Sequence, residues 1–451
     1  MSVSRQMAEF ISRTSYQDIP AEIIDKAKQC LLDSIGVAIY GSTFEPSQIS
    51  LDVVKEAGGK EESTILGTNC KAPSFLAAMT NGIRAHVADY DDVGGLSHPS
   101  CVLMPTTLNL AEAKRLDGRS LLTAFVLGNE IGGKQGEVMM WRHYEVGFHS
   151  TGTVGTIAAA AAAAKLLGLS PAQTTNALGI AASSASGIRQ NFGTMTKCWH
   201  AGHAASAGIL AALSAQKGYD ASPQALDGKI GFIAAFQGNT EKAFPTDKLG
   251  NPYFLTKIMF RKYPGCHGTH AAVDVALKLR SQYGFSPQEI EAVECYGRPL
   301  MSSVLIYKEP ATGLQAKFSL EYCVAAALTL GCLGIAQFTD EAVLNPEVRK
   351  TMQKLSVIDD EDIEKLAKDK NLLAPARVKV ILNDGQEFSQ MIEEARGGPS
   401  DPLSWPEIED KFLECTSLAL PVYQAREVIS LIHNLEEVEN ISALTRLLSI
   451  K

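Results

Sequence analysis

The sequence predicts a mainly α protein: a large all-helical domain, with a smaller α+β domain inserted near the C-terminal third. Three observations carry this. Apolar residues recur at helical spacing as far as about residue 245, alanine and glycine crowd residues 152–214, and strand-like alternation begins only after about residue 258.

From residue 20 to 39, Ile23, Ala27, Leu31, Ile35 and Ala38 fall on one helical face, and Asp18 just ahead is a start signal. Further helices are expected over 105–115, 121–132, 153–167, 171–185 and 204–217. Ser170-Pro171-Ala172-Gln173 supplies an N-cap, a first-turn proline and a capping-box glutamine, which marks the start of the fourth of these. The small side chains of 158–164 and 181–187 let helix axes approach closely, as at the buried centre of a helical domain. Beyond 258, residues 290–296 and 377–382 alternate as strands. Asn383-Asp384-Gly385 then turns the chain into 387–393, which predicts a hairpin, while 317–330 reads as helix. After Gly397-Gly398-Pro399 the chain is helical again from Trp405 onward. These readings place an all-helical domain at 1–257 and 398–451, and the α+β domain at 258–397.

The 451 residues, 45% hydrophobic and 20% charged, have an ordinary globular composition with room for a large core. A net charge of -9 and pI near 5.6 argue against nucleic acid as a partner, so any anionic ligand must be held by a local group of cations. The nine cysteines are scattered with no C-x-x-C pair and read as reduced thiols of a cytoplasmic protein. The N-terminal segment carries charges and does not read as a signal peptide. The most apolar stretch, 156–169, is broken by Lys165 and Gly168 and is short of the roughly 20 residues needed to cross a bilayer, so no membrane association is expected.

Three polar segments stand out. Residues 85–100 hold His86, Asp89, Asp91, Asp92 and His98 around Gly94-Gly95, and the second segment runs from Tyr144 through His149 to Gly152. The third runs from Phe260 through Arg261, Lys262 and His267 to His270. Crowded carboxylates raise one another's pKa and histidine carries protons near neutrality, so these residue types suit proton transfer. A solvated acidic loop accounts for the first segment about equally well on its own, but three such segments in one apolar chain suggest one assembled site.

Gly128-Asn129-Glu130-Ile131-Gly132-Gly133-Lys134 fits seven positions of a phosphate loop, yet Gln135 stands where Ser or Thr is needed and the preceding segment reads as helix; nucleotide binding is not expected. No dinucleotide or serine-hydrolase glycine motif occurs. His86 and Asp89, three apart, share a helix face as metal ligands can. Without an H-E-x-x-H or Cys/His framework, however, no metal site is predicted. Lys197, beside Trp199 at the head of an alanine-rich helix, reads as a carboxylate anchor in preference to a snorkelling surface lysine.

Together these motifs resemble the MmgE/PrpD superfamily of 2-methylcitrate dehydratase-like enzymes, which includes cis-aconitate decarboxylases and iminodisuccinate epimerase. The matching pieces are Asp89-Tyr90-Asp91-Asp92 through His98-Pro99-Ser100, Gly147-Phe148-His149, Thr196-Lys197, Tyr263-Pro264 through His270, and Phe318-Ser319-Leu320-Glu321-Tyr322. The resemblance implies that the inserted α+β domain is a lid, that the site lies in the cleft between the domains, and that the protein is a homodimer. It also implies active-site roles for Asp89, His98, His149, Lys197 and Tyr322, with Arg261, Lys262, Tyr144 and His267 as substrate-binding candidates. Decarboxylase-like members carry a lysine where Arg261 stands, and a threonine after the Asp-Asp pair where this chain has Val93 ahead of a shorter turn.

The implied activity is a cofactor-independent lyase or isomerase acting on a small di- or tricarboxylate by proton transfer beside a carboxylate. A 2-methylcitrate dehydratase-like hydro-lyase leads. An epimerase of an amino-dicarboxylate such as iminodisuccinate, a cis-aconitate-type decarboxylase and a non-catalytic carboxylate-binding protein are the alternatives. Lys197 with Arg261 or Lys262 would clamp carboxylates, His149, His98 and Tyr322 would exchange protons, and Asp89 would orient a histidine.

Overall fold

Helices carry most of the chain in the computed structural model, which describes all residues except Met1, Leu96, Asn239, Lys242, Ala243, Asn371 and Lys451, and all their side chains except those of Met140 and Trp141. The chain forms two units, Met1–Ile258 with Ser404–Lys451, and Met259–Leu403.

The first unit is built from α1 (Val3–Arg13), α2 (Ala21–Gly41), α3 (Glu45–Ala57), a two-stranded antiparallel ribbon of β1 (Ser63–Thr64) and β2 (Lys71–Ala72), α4 (Ser74–Val87), α5 (Ser100–Lys114), α6 (Gly118–Glu145), α7 (Ser150–Leu166), α8 (Pro171–Ser184) and α9 (Thr196–Gln216). The helix Trp405–Thr416, with which the chain re-enters this unit, packs on α2, with Phe412 and Cys415 against Gly36. The capping box at Ser170 and Gln173 forms as the sequence indicates. Nearly every residue of α7 is buried, which accounts for its run of alanines. Helices α4 and α9 meet at Gly82 and Gly202, where a Cβ on Gly202 would lie 2.3 Å from the carbonyl oxygen of Met79. Only glycine allows that approach.

Three helices outrun their sequence-based limits, and packing is the reason. Helix α5 starts at Ser100, whose N–H donates to the Asp92 carboxylate, and carries Pro105 within it. Helix α6 continues to Glu145 through Gly132 and Gly133, which read as a terminus but serve as contact points. A Cβ on Gly133 would fall inside the ring of Phe254, 1.9 Å from its Cγ. Helix α9 begins at Thr196, ahead of the periodic stretch 204–217 and at the head where the sequence places Lys197. The phosphate-loop-like motif is thus helical, and Glu130 within it accepts the backbone N–H groups of Gly250 and Phe254 at 2.8 and 2.6 Å.

The second unit holds a four-stranded sheet ordered β4-β3-β5-β6, from β3 (Ile290–Gly297), β4 (Leu355–Asp359), β5 (Ala376–Leu382) and β6 (Glu387–Ile392). Strand β3 runs parallel to β4 and antiparallel to β5. Strands β5 and β6 form the foreseen hairpin, Val380 opposite Phe388, with Gly385 at φ 86° in its turn. β5 buries Ala376, Val378, Val380 and Leu382 into a core shared with the helices His270–Tyr283 and Leu320–Leu330. The parallel strand β4 was not foreseen: its five residues are only half-buried or exposed and show no apolar alternation.

All nine cysteines are free thiols, most of them buried. Among the described residues no helix is long and apolar enough to cross a membrane.

Candidate active site

The segment after α4 is where the first unit gathers its polar side chains. Helix α4 ends at Val87 with His86 in its last turn, and Asp89 then takes a left-handed φ of 51°. A non-glycine residue in that region is strained and is held there by its surroundings. Here the holding partner is Lys197, whose Nζ lies 2.7 Å from Asp89 Oδ1 with both side chains buried. The segment is pinned further by Lys411, whose ammonium reaches Tyr90 O at 2.8 Å and Asp33 Oδ1 at 2.6 Å. Full burial pushes the Asp92 carboxyl up to about 7, against the N–H and hydroxyl of Ser100, which donate to it and oppose the rise. Gly94 and Ser97 close the turn by paired backbone hydrogen bonds; Leu96 within it lies outside the described residues.

Three imidazoles converge beside the ion pair. The His86 and His98 ring centroids are 4.9 Å apart, and those of His149 lie 5.7 and 6.3 Å from them. His149 is the N-cap residue of α7, its N–H donating to Gly187 O, while His98 N–H donates to Thr151 Oγ1 on the same helix. Each ring is anchored through Nδ1. His86 faces Asp91 Oδ2 at 2.9 Å, His98 faces Asp92 O at 3.0 Å, and His149 faces Nδ1 of His200 at 2.9 Å. Because a carboxylate and a carbonyl only accept, His86 and His98 carry their proton on Nδ1 when neutral, and their Nε2 atoms hold a lone pair. The Nε2 atoms of His86 and His149 are buried with no hydrogen-bond partner.

Burial, and then the positive neighbours His86, Lys197, His200 and His98, hold His149 well below the usual histidine range. Burial, and then His86, Lys197 and His203, lower His200 to about 4. Both rings are therefore neutral at neutral pH. One donates its Nδ1 hydrogen to the other, so His149 presents at Nε2 either a lone pair or a hydrogen, depending on which ring donates.

The structure brings His98, His149, Asp89 and Lys197 into one cluster in the first unit, all buried except the half-buried His98. Tyr144 stands at its edge: the guanidinium of Arg189 lies over the Tyr144 ring at 4.0 Å, and Phe192 links that ring to His149. Tyr322, Arg261, Lys262 and His267 belong to the second unit. There Arg261 and His267 are buried, whereas Lys262 is exposed. The Tyr322 hydroxyl donates to Gln337 O, and burial raises it well above the ordinary tyrosine value. The sequence places His86 and Asp91 in its first polar segment without pairing them, and leaves out His200. His200 sits three residues after Lys197 on a helix, a same-face spacing that was legible.

Comparison with known proteins adds a second line of evidence. The MmgE/PrpD N-terminal domain model matches residues 5–245, and the MmgE/PrpD C-terminal domain model matches residues 263–437. The chain is 29% identical over 99% of its length to a human cis-aconitate decarboxylase, covering 94% of that protein. It is 25% identical over 99% of its length to a cis-aconitate decarboxylase of Aspergillus terreus, covering 96% of it. It is 23% identical over 94% of its length to the 2-methylcitrate dehydratase of Escherichia coli, covering 92% of it.

Proposed function

The chain belongs to the MmgE/PrpD family, and from that membership and the histidine cluster we propose that it is a lyase of small tricarboxylates that works by proton transfer at a carbon beside a carboxylate. The observation that carries the proposal is the group of buried His86 and His149 with half-buried His98 next to the Lys197–Asp89 ion pair. A neutral, water-poor imidazole is a competent base, and a nearby ammonium stabilises the carbanion or enolate that proton removal creates.

In dehydration, His149 takes the proton from carbon through Nε2, and a second group protonates the departing hydroxide to leave an alkene and water. In decarboxylation, the bond to the carboxylate breaks, carbon dioxide leaves, and the electron pair left on carbon takes a proton from the same acid. Lys197 would exchange Asp89 for a substrate carboxylate, and Arg261, the buried member of the basic pair, is the second proposed clamp. All of this uses side chains of the chain itself and no organic cofactor. The higher identity to decarboxylases favours decarboxylation, whereas Val93 and Arg261, which depart from their pattern, favour the dehydratase reading. A homodimeric, cytoplasmic protein is part of the same proposal, supported by the family resemblance.

The test is incubation of the purified protein in deuterium oxide with citrate, 2-methylcitrate, cis-aconitate and an amino-dicarboxylate. Released carbon dioxide identifies a decarboxylase, new alkene absorbance a dehydratase, and deuterium uptake without loss of substrate an epimerase. Binding with none of these overturns the lyase proposal.

A further inference from the structure

The three rings share a property that proton transfer does not require. One ring nitrogen from each of His86, His98 and His149 lies within 4.8 Å of one from each of the others, although the residues come from a helix end, a loop and a helix N-cap. Each Nδ1 is held by a different partner: a carboxylate, a backbone carbonyl and a second imidazole. Such partners orient histidine ligands toward a metal; they leave a lone pair on Nε2 of neutral His86 and His98, and on Nε2 of His149 when its Nδ1 donates to His200. The Nε2 atoms of His86 and His149 are buried and take no hydrogen bond. The local charge also suits a cation. Asp91 backs His86, and Asp89 offsets Lys197.

We propose that His86, His98 and His149 form a three-histidine site for a zinc-class divalent cation, and that its occupancy switches off the proton chemistry of the same rings. Zinc takes imidazole nitrogen at about 2.0–2.1 Å, so the rings must close by a small rotation about their anchored edges. Three nitrogen ligands leave a fourth position for water or a substrate carboxylate. A bound cation consumes the lone pairs with which His98 and His149 accept protons. The metal-free protein is then the active form, and the cation its reversible inhibitor. The binding half of the proposal stands on geometry alone, and the inhibitory half rests on the proposed function.

Two measurements on the full chain separate the halves. Titration with cobalt(II) should give one equivalent of bound metal with the intense visible absorption of a four-coordinate nitrogen site, displaced by zinc. His86→Gln should weaken this binding roughly 100-fold or more. Should that variant not fold, by circular dichroism, His98→Asn serves in its place. Absence of a stoichiometric site, or binding untouched by these substitutions, overturns the metal site. In the second measurement, one equivalent of zinc should abolish solvent-deuterium exchange into the substrate found to turn over, and a chelator should restore it. Metal bound through these histidines with full exchange remaining overturns the inhibitory role and the proton-transfer assignment together, while leaving the metal site intact.

Discussion

His149 and His200 share a single hydrogen between their Nδ1 atoms at 2.9 Å, and both rings are neutral because they are buried among positive neighbours. The outer nitrogen of His149 is therefore set by a ring that need not touch the substrate. When His149 donates to His200 its Nε2 is a base, and when it accepts from His200 its Nε2 is an acid.

Replacing His149 with Gln should lower turnover by about two to four orders of magnitude, since the amide keeps a polar shape but cannot shuttle protons. The melting temperature should shift little, because His149 serves the start of α7 through its backbone carbonyl, which accepts the N–H groups of Gly152 and Thr153. Steady-state turnover and thermal melting on one preparation check this, and near-normal turnover removes His149 from the mechanism.

Lys197→Met should do two things at once. Losing the carboxylate anchor should reduce kcat/KM by roughly 30-fold to several thousand-fold, the range for truncating one partner of a buried charge pair. Met keeps the aliphatic stem and its packing, but the 2.7 Å bond to buried Asp89 means that the variant leaves a carboxylate behind, which should lower the melting temperature. Adding Asp89→Asn should recover melting temperature without activity. Full activity of the single variant would show that Lys197 anchors nothing.

Glu130 offers a pH test away from the cluster. Burial raises its carboxyl above the ordinary glutamate value, with the N–H groups of Gly250 and Phe254 opposing the shift in part. The folded state thus holds this proton more tightly than the unfolded state. Its contribution to stability is complete below the unfolded value, near 4.5, and is lost as pH rises through the folded value. Glu130→Gln should flatten that part of the curve of unfolding free energy against pH. An unchanged slope as pH rises above 4.5 would show that Glu130 is not the group responsible.

Gly202→Val should be severely destabilising, because its Cβ would meet the Met79 carbonyl at 2.3 Å and backbone cannot yield as a flexible side chain can. A loss of about 1–3 kcal/mol or more is expected from denaturant unfolding. A stability within about 0.5 kcal/mol of the parent would show that α4 and α9 can separate cheaply.

The sequence by itself determined the elements whose signals are local. Ile23 through Ala38 lie on one face at a period of 3.6, Ser170 and Gln173 cap each other within one turn, and Asn383-Asp384-Gly385 forces a hairpin. It also determined the family, because residues 85–100, 147–149 and 196–197 keep their chemistry and order however the chain is folded. Only the tertiary structure decided that Gly132 and Gly133 are contact points inside a helix, since a glycine needed for close approach looks the same in a string of letters as one that ends a helix. It alone paired Lys197 with Asp89, 108 residues away, His149 with His200, 51 away, and His86 with Asp91 beside His98. Such pairings depend on how α4, α7 and α9 cross, which is a sum of many small packing contacts, and no short-range pattern encodes that sum.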